Sequence, residues 1–139
     1  MAITINFQHP VHLPFRRKIK RLVQEIFHQE GRTLSNLNIV FCSDAYLLNM
    51  NQIYLSHDYY TDIITFDLSD SEDIHAEIYI SVDTAAVNAI EYKVLLINEL
   101  IRLIIHGCLH LCGFSDKKKS EKNTMTKAEN RYLLYYESL

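Results

Sequence analysis

The segment His106-Gly107-Cys108-Leu109-His110-Leu111-Cys112-Gly113-Phe114-Ser115-Asp116 decides how the rest of the chain is read. Two histidines stand four residues apart, and in a helix positions i and i+4 lie on one face, one above the other. Both imidazoles therefore reach one cation. Gly113 follows His110 by three residues and is suited to the left-handed conformation that stops a helix. The chain then turns back, and Asp116 supplies a third donor from the loop.

The surrounding sequence is built to carry this segment. From Asp83 to Cys112 the pattern reads as helical, with a break into two helices at Asn88 or Tyr92. Residues 94–111 are apolar nearly all round, which marks a buried helix; Glu99, Arg102 and the histidines interrupt the run too often for a membrane span. Further out, Ile3, Ile5 and Phe7 alternate as in a half-buried strand over residues 2–7. Residues 14–29 form an amphipathic helix whose Arg16, Arg17, Lys18, Lys20 and Arg21 read as a solvated face. Strands are expected over 37–43, 63–66 and 77–81, with Ser43 or Asp44 capping a short helix through about Tyr54. A polar, aromatic loop spans 55–62 and an acidic turn 67–73, and a last helix runs over 120–136. The expected fold is α+β: one domain over 1–139, with a small mixed sheet of about four strands packed by helices around the buried histidine helix.

Composition narrows the class. The chain has 139 residues, 48% hydrophobic and 22% charged, as in a soluble globular domain. A net charge of −3 excludes a basic sheath for nucleic acid, so any RNA contact comes from a local patch. Three cysteines make no disulfide framework, and the N-terminus lacks a basic region followed by an apolar run; both fit a reducing, cytoplasmic location without membrane attachment.

The chemistry follows from the donor types. A histidine pair satisfied inside a core is the bland reading. Two histidines at i, i+4 in an apolar helix, followed by a stop and a carboxylate, instead make a metal site from His106, His110 and Asp116. Three protein ligands leave a fourth position open, the catalytic arrangement. One Zn2+ is the first choice, although harder metals also accept the Asp oxygen. Cys108 and Cys112 have the same spacing, but Cys108 lies about 200° around the helix from the ligand face and belongs in the core. The spacing resembles H-E-x-x-H-x-x-G-x-x-H, in which the Glu is the general base. Gly107 stands in its place and accepts no proton, which disfavours a peptidase. Arg102, one turn before His106, is either a phosphate clamp or a snorkelling or ion-paired side chain, Glu99 being one candidate partner. Lys117, Lys118 and Lys119 either contact a nucleic-acid backbone or form a solvated turn.

His106-Gly-Cys-Leu-His110-Leu-Cys-Gly113-Phe114 resembles the H-G-x-L-H-L-x-G-[YF] signature of the YbeY family of metal-dependent endoribonucleases. Met50-Asn51-Gln-Ile-Tyr54, Thr61-Asp62-Ile-Ile-Thr65-Phe66 and Glu77-Ile-Tyr-Ile-Ser81 are similar to further segments of that family. The resemblance implies a single-strand-specific endoribonuclease of small-subunit rRNA 3′-end maturation and ribosome quality control, with RNA and the ribosome as partners. Three positions depart from the family pattern. Asp116 replaces the third histidine, Leu55 replaces a basic residue after the Tyr, and Tyr60 replaces a Pro. Arg102 is the candidate to supply the missing cation as a catalytic group, with Lys117 and Lys118 binding substrate. The rival readings are a ribosome-associated metal-binding protein with weak catalysis and a zinc peptidase.

Overall fold

The computed structural model describes residues 2–139. Its elements are β1 (Ala2–Phe7), α1 (Arg16–Gln29), β2 (Leu34–Cys42), α2 (Asp44–Leu55), β3 (Ile63–Asp67), β4 (Ile74–Ser81), α3 (Val82–Tyr92), α4 (Leu96–Leu111) and α5 (Lys119–Ser138). The sheet has the order β1-β2-β4-β3. β1 and β4 run parallel to β2, and β3 runs antiparallel to β4. This is the α+β fold with a mixed four-stranded sheet that the sequence implies.

The strands are apolar where both sheet faces are covered. In β4 the alternate residues Ile74, Ala76, Ile78 and Ile80 are buried against the main core. In β2, Leu37, Ile39 and Phe41 face the same core, while Cys42 joins Leu47 and Ile64 in a smaller cluster under α2. β2 and β4 each begin three residues before the expected start, at Leu34 and Ile74. A register irregularity between Leu34 and Asn36 hides the alternation in β2. The acidic run before Ile74 masks the entry to β4, whose first amide donates to the carbonyl of Thr33 at 2.8 Å.

Helix α4 lies at the centre, packed against β3, β4, α1, α3 and α5. The break expected at Asn88 or Tyr92 falls at the end of Tyr92, with a bend of 113° between the two helices. Lys93 makes the turn in a left-handed conformation (φ 58°), and Val94 N–H returns to the carbonyl of Ala89 at 3.0 Å. No Gly or Pro marks this corner, so the helical period runs across it. Among the described residues no single helix is long and apolar enough to cross a membrane. In α1, Arg16, Arg17, Lys20 and Arg21 are exposed as expected for a solvated face, while Lys18 sits over the Tyr136 ring at 4.4 Å.

Gly107 is where α4 meets the sheet. A Cβ there would stand 2.9 Å from Ile78 Cδ1 and 3.1 Å from Ile63 Cδ1. Ile78 is fully buried, so its side chain must repack within the core to give way. Gly107→Ala is therefore expected to lose stability: overpacking costs about 1–3 kcal/mol, against a helix-propensity gain of about 1 kcal/mol. The net loss of about 1 kcal/mol lowers the thermal midpoint by about 3–5 °C, which calorimetry reads.

Candidate metal centre

From Glu99 to Leu111 every residue of α4 is buried except Arg102, His106 and His110. These recur every four residues, so they form one line along the helix. The histidine rings are 4.5 Å apart and nearly perpendicular. The end of α4 is a Schellman turn: Gly113 N–H donates to the carbonyl of His110 and Phe114 N–H to that of Leu109, both at 3.0 Å. Gly113 has φ +100°, which makes glycine the suited residue. The turn carries Phe114 and Asp116 back toward the histidines. The Phe114 carbonyl accepts from His110 Nδ1 at 3.0 Å. The Asp116 carboxylate lies 3.4 Å from His106 Nε2 and 3.5 Å from His110 Nε2.

Three donor atoms thus converge, since the two Nε2 atoms are themselves 3.0 Å apart. A tetrahedral ion with bonds of about 2.0–2.2 Å needs its ligand atoms about 3.3–3.6 Å apart. The two distances to Asp116 fall in this range and the 3.0 Å between the Nε2 atoms is slightly short of it, so His106, His110 and Asp116 form a group able to hold one metal ion after a small ring movement. The orientation of each ring supports this. A carbonyl only accepts, so in neutral His110 the proton is on Nδ1 and Nε2 offers a lone pair. On His106, Nδ1 meets Glu129 Oε2 at 2.7 Å, which leaves Nε2 free in the same way. Histidine ligands ordinarily donate their other N–H to a carboxylate or carbonyl.

Glu129 comes from α5 and is 7% exposed. It belongs to the helix face that buries Met125, Ala128, Tyr132 and Tyr136. A carboxylate within that apolar stripe was the signal in the sequence, but its partner lies 23 residues away in the chain. Arg102 donates to Glu129 at 2.8 Å and to Asn130 at 2.9 Å. The ion pair expected with Glu99 is thus made with Glu129. Glu99 instead accepts from Asn88 at 3.4 Å, and Asn88 also donates to Asp62 at 3.1 Å.

Two clefts open beside the donor group. One, of about 290 Å³, is lined by Asp62, Glu99, Arg102, His106, Asp116 and Glu129 among others. The second, of about 650 Å³, joins His106, His110 and Asp116 to Leu55, His57, Tyr59 and Lys117. Lys117 is its one lysine or arginine among the described residues. Lys118 is not among its lining residues; it is the N-cap of α5, with its N–H on Glu121 at 3.0 Å. Cys108 is fully buried and Cys112 partly, as expected for core packing, and burial raises both thiol pKa values, Cys112 to about 12.

Burial on its own lowers the pKa of His106. The hydrogen bond and charge of Glu129, then the charges of Asp116 and Asp62, outweigh burial and leave it above the ordinary value. Burial raises the pKa of Asp62 and of Glu99.

A family model described as "Endoribonuclease YbeY" matches residues 4–137. The chain belongs to the YbeY family. It is 43% identical over 133 residues to an endoribonuclease YbeY of Karelsulcia muelleri, covering 96% of this chain and 94% of that one. It is 41% identical over 118 residues to one of Bacteroides thetaiotaomicron, covering 85% and 86%. The solution structure of a Thermotoga maritima protein matches with a TM-score of 0.67 at 25% identity, over 98% of this chain and 89% of that one. The fold and the histidine segment inferred from the sequence are thus those of a YbeY protein.

Two outcomes test this electrostatic arrangement. Glu129→Ala frees the His106 ring, and zinc affinity measured by competition with a chromophoric chelator is expected to fall about 10–100-fold, the usual effect of losing an outer partner. Glu99 is an acid whose folded pKa is raised, so its ionisation costs stability as pH rises above the unfolded value. Glu99→Gln is therefore expected to be more stable than the native chain at pH 7, with the gain shrinking as pH falls toward about 4.5, in denaturant titrations across that window.

Proposed function

We propose that this YbeY protein, as a single domain over 1–139, is a zinc-dependent endoribonuclease. It acts on single-stranded RNA in small-subunit rRNA 3′-end maturation and ribosome quality control, in the cytoplasm and in association with the ribosome. His106, His110 and Asp116 hold one Zn2+. The observation that carries the reading is the convergence of two Nε2 atoms and a carboxylate, each imidazole held by an acceptor on its far nitrogen. The family membership gives the reaction class.

A divalent ion at this position supplies a Lewis acid for a phosphoryl oxygen and acidifies water. The chain's own residues do the rest. Glu129 holds His106 and is itself held by Arg102. Lys117, in the cleft beside the donors, attracts the phosphodiester, and Lys118, next in the chain, adds to the local positive charge. Arg102 lines the smaller cleft together with His106 and Asp116 and serves in this reading as the cation that Leu55 does not provide. Gly107 offers neither a base nor space for one, which speaks against a peptidase.

The second reading, a ribosome-associated metal-binding protein with weak catalysis, is favoured by Leu55. It lines the cleft where the family resemblance implies a basic side chain. The two readings differ in one assay. Purified protein is expected to contain one zinc per chain and to cut single-stranded rRNA precursor fragments, with activity lost on chelation and restored by zinc. His106→Ala is expected to lose more metal affinity than the roughly 10–100-fold typical of an outer partner, together with all cleavage. Ribosome binding without cleavage by the zinc-loaded native chain would establish the second reading.

A further inference from the structure

The larger cleft is bounded by a loop whose side chains the core does not use. Asn51, 1% exposed, clamps this loop twice: its side-chain amide donates to the carbonyl of Tyr59 at 3.0 Å, and its own carbonyl accepts from His57 N–H at 3.1 Å. The clamp presents two rings. His57 and Tyr59 stack with centroids 5.1 Å apart and planes 23° from parallel, and the Tyr59 hydroxyl meets His57 Nδ1 at 2.9 Å. Tyr59 is nonetheless 54% exposed. An anchored, paired aromatic that stays in water is arranged for a ligand more than for stability.

We infer that the His57–Tyr59 stack is a platform for an unpaired nucleobase next to the phosphodiester that faces His106, His110 and Asp116. This rests on the RNA-cleaving reading of the same site. The stack and the three donors line one cleft of about 650 Å³, within the size range of small-ligand sites. Every base has a π-face, so an aromatic platform holds single-stranded RNA without reading its sequence. Lys117 stands in the same cleft for the backbone charge. Of the loop's two acids, Asp58 accepts from Gln52 at 2.6 Å and does not line the cleft, while Asp62 lines it and its charge bears on His106. Stacking also gives the loop a grip on RNA that Leu55, apolar and at the start of the loop, does not give by charge.

The test uses the zinc-loaded full chain and a short single-stranded oligoribonucleotide that it cuts. Tyr59→Ala is expected to raise KM about 5- to 150-fold, the range of one lost stacking contact, while zinc content and thermal midpoint stay those of the native protein. Tyr59→Phe recovers most of the loss, and His57→Ala repeats part of it. A series of the same oligonucleotide with one base removed at a time identifies the stacked base. For the native chain one removal beside the cut reproduces the loss, and in Tyr59→Ala that removal has no further effect. The platform is refuted if Tyr59→Ala and His57→Ala keep the native KM, or if base removal and Tyr59→Ala add at every position. Native zinc-loaded protein that neither binds nor cuts any RNA overturns the underlying reading as well, and is told apart without any variant.

Discussion

The close approach of α4 to the sheet at Gly107 governs the rest of the structure. With no side chain between the helix backbone and Ile78, the close approach favours the observed rotation of the helix about its axis. Turning it by one residue, about 100°, would drive a bulky neighbour into Ile78 and Ile63. That rotation puts Leu100, Ile101, Ile104, Ile105, Cys108 and Leu109 into the core and leaves Arg102, His106 and His110 in a line on the remaining face. The same glycine that removes a general base from the motif therefore aims both histidines.

The charges around the histidines form a single system. Asp62, Asp116 and Glu129 all bear on His106, and Arg102 is directly bonded to Glu129 alone among these acids. Burial makes the ionised forms of Asp62 and Glu99 costly. A site with this surplus of carboxylate is electrostatically matched to a divalent cation, which would be the largest local charge and offset the surplus. Arg102 has an evident structural role here, since it donates to Glu129 and holds it against His106.

Much of this arrangement was legible in advance where it depends on neighbours in the chain. The i, i+4 histidines, the helix stop at Gly113 and the buried character of 94–111 are all local patterns, and each strand was recognised at its apolar centre. The element ends were less visible. A register irregularity obscured the start of β2, and Lys93 turns the chain through a left-handed conformation without the glycine that usually announces it. No local pattern marks Glu129 or Asp62 as parts of the site, because their partners are far away in sequence.

The sequence by itself determined the helix that carries the donors, the spacing that brings two imidazoles onto one face, and the family, because these are set by helical period and by residue type over a few positions. Only the tertiary structure decided which face of α4 is buried, that Asp116 closes the donor triangle at 3.4 and 3.5 Å, and that Arg102 pairs with Glu129 and not with Glu99. It likewise set the His57–Tyr59 stack in the same cleft as the histidines. Those contacts join α4 to α5 and to the loop after α2, and distances between separate elements are fixed by how they pack, a property that no local pattern encodes.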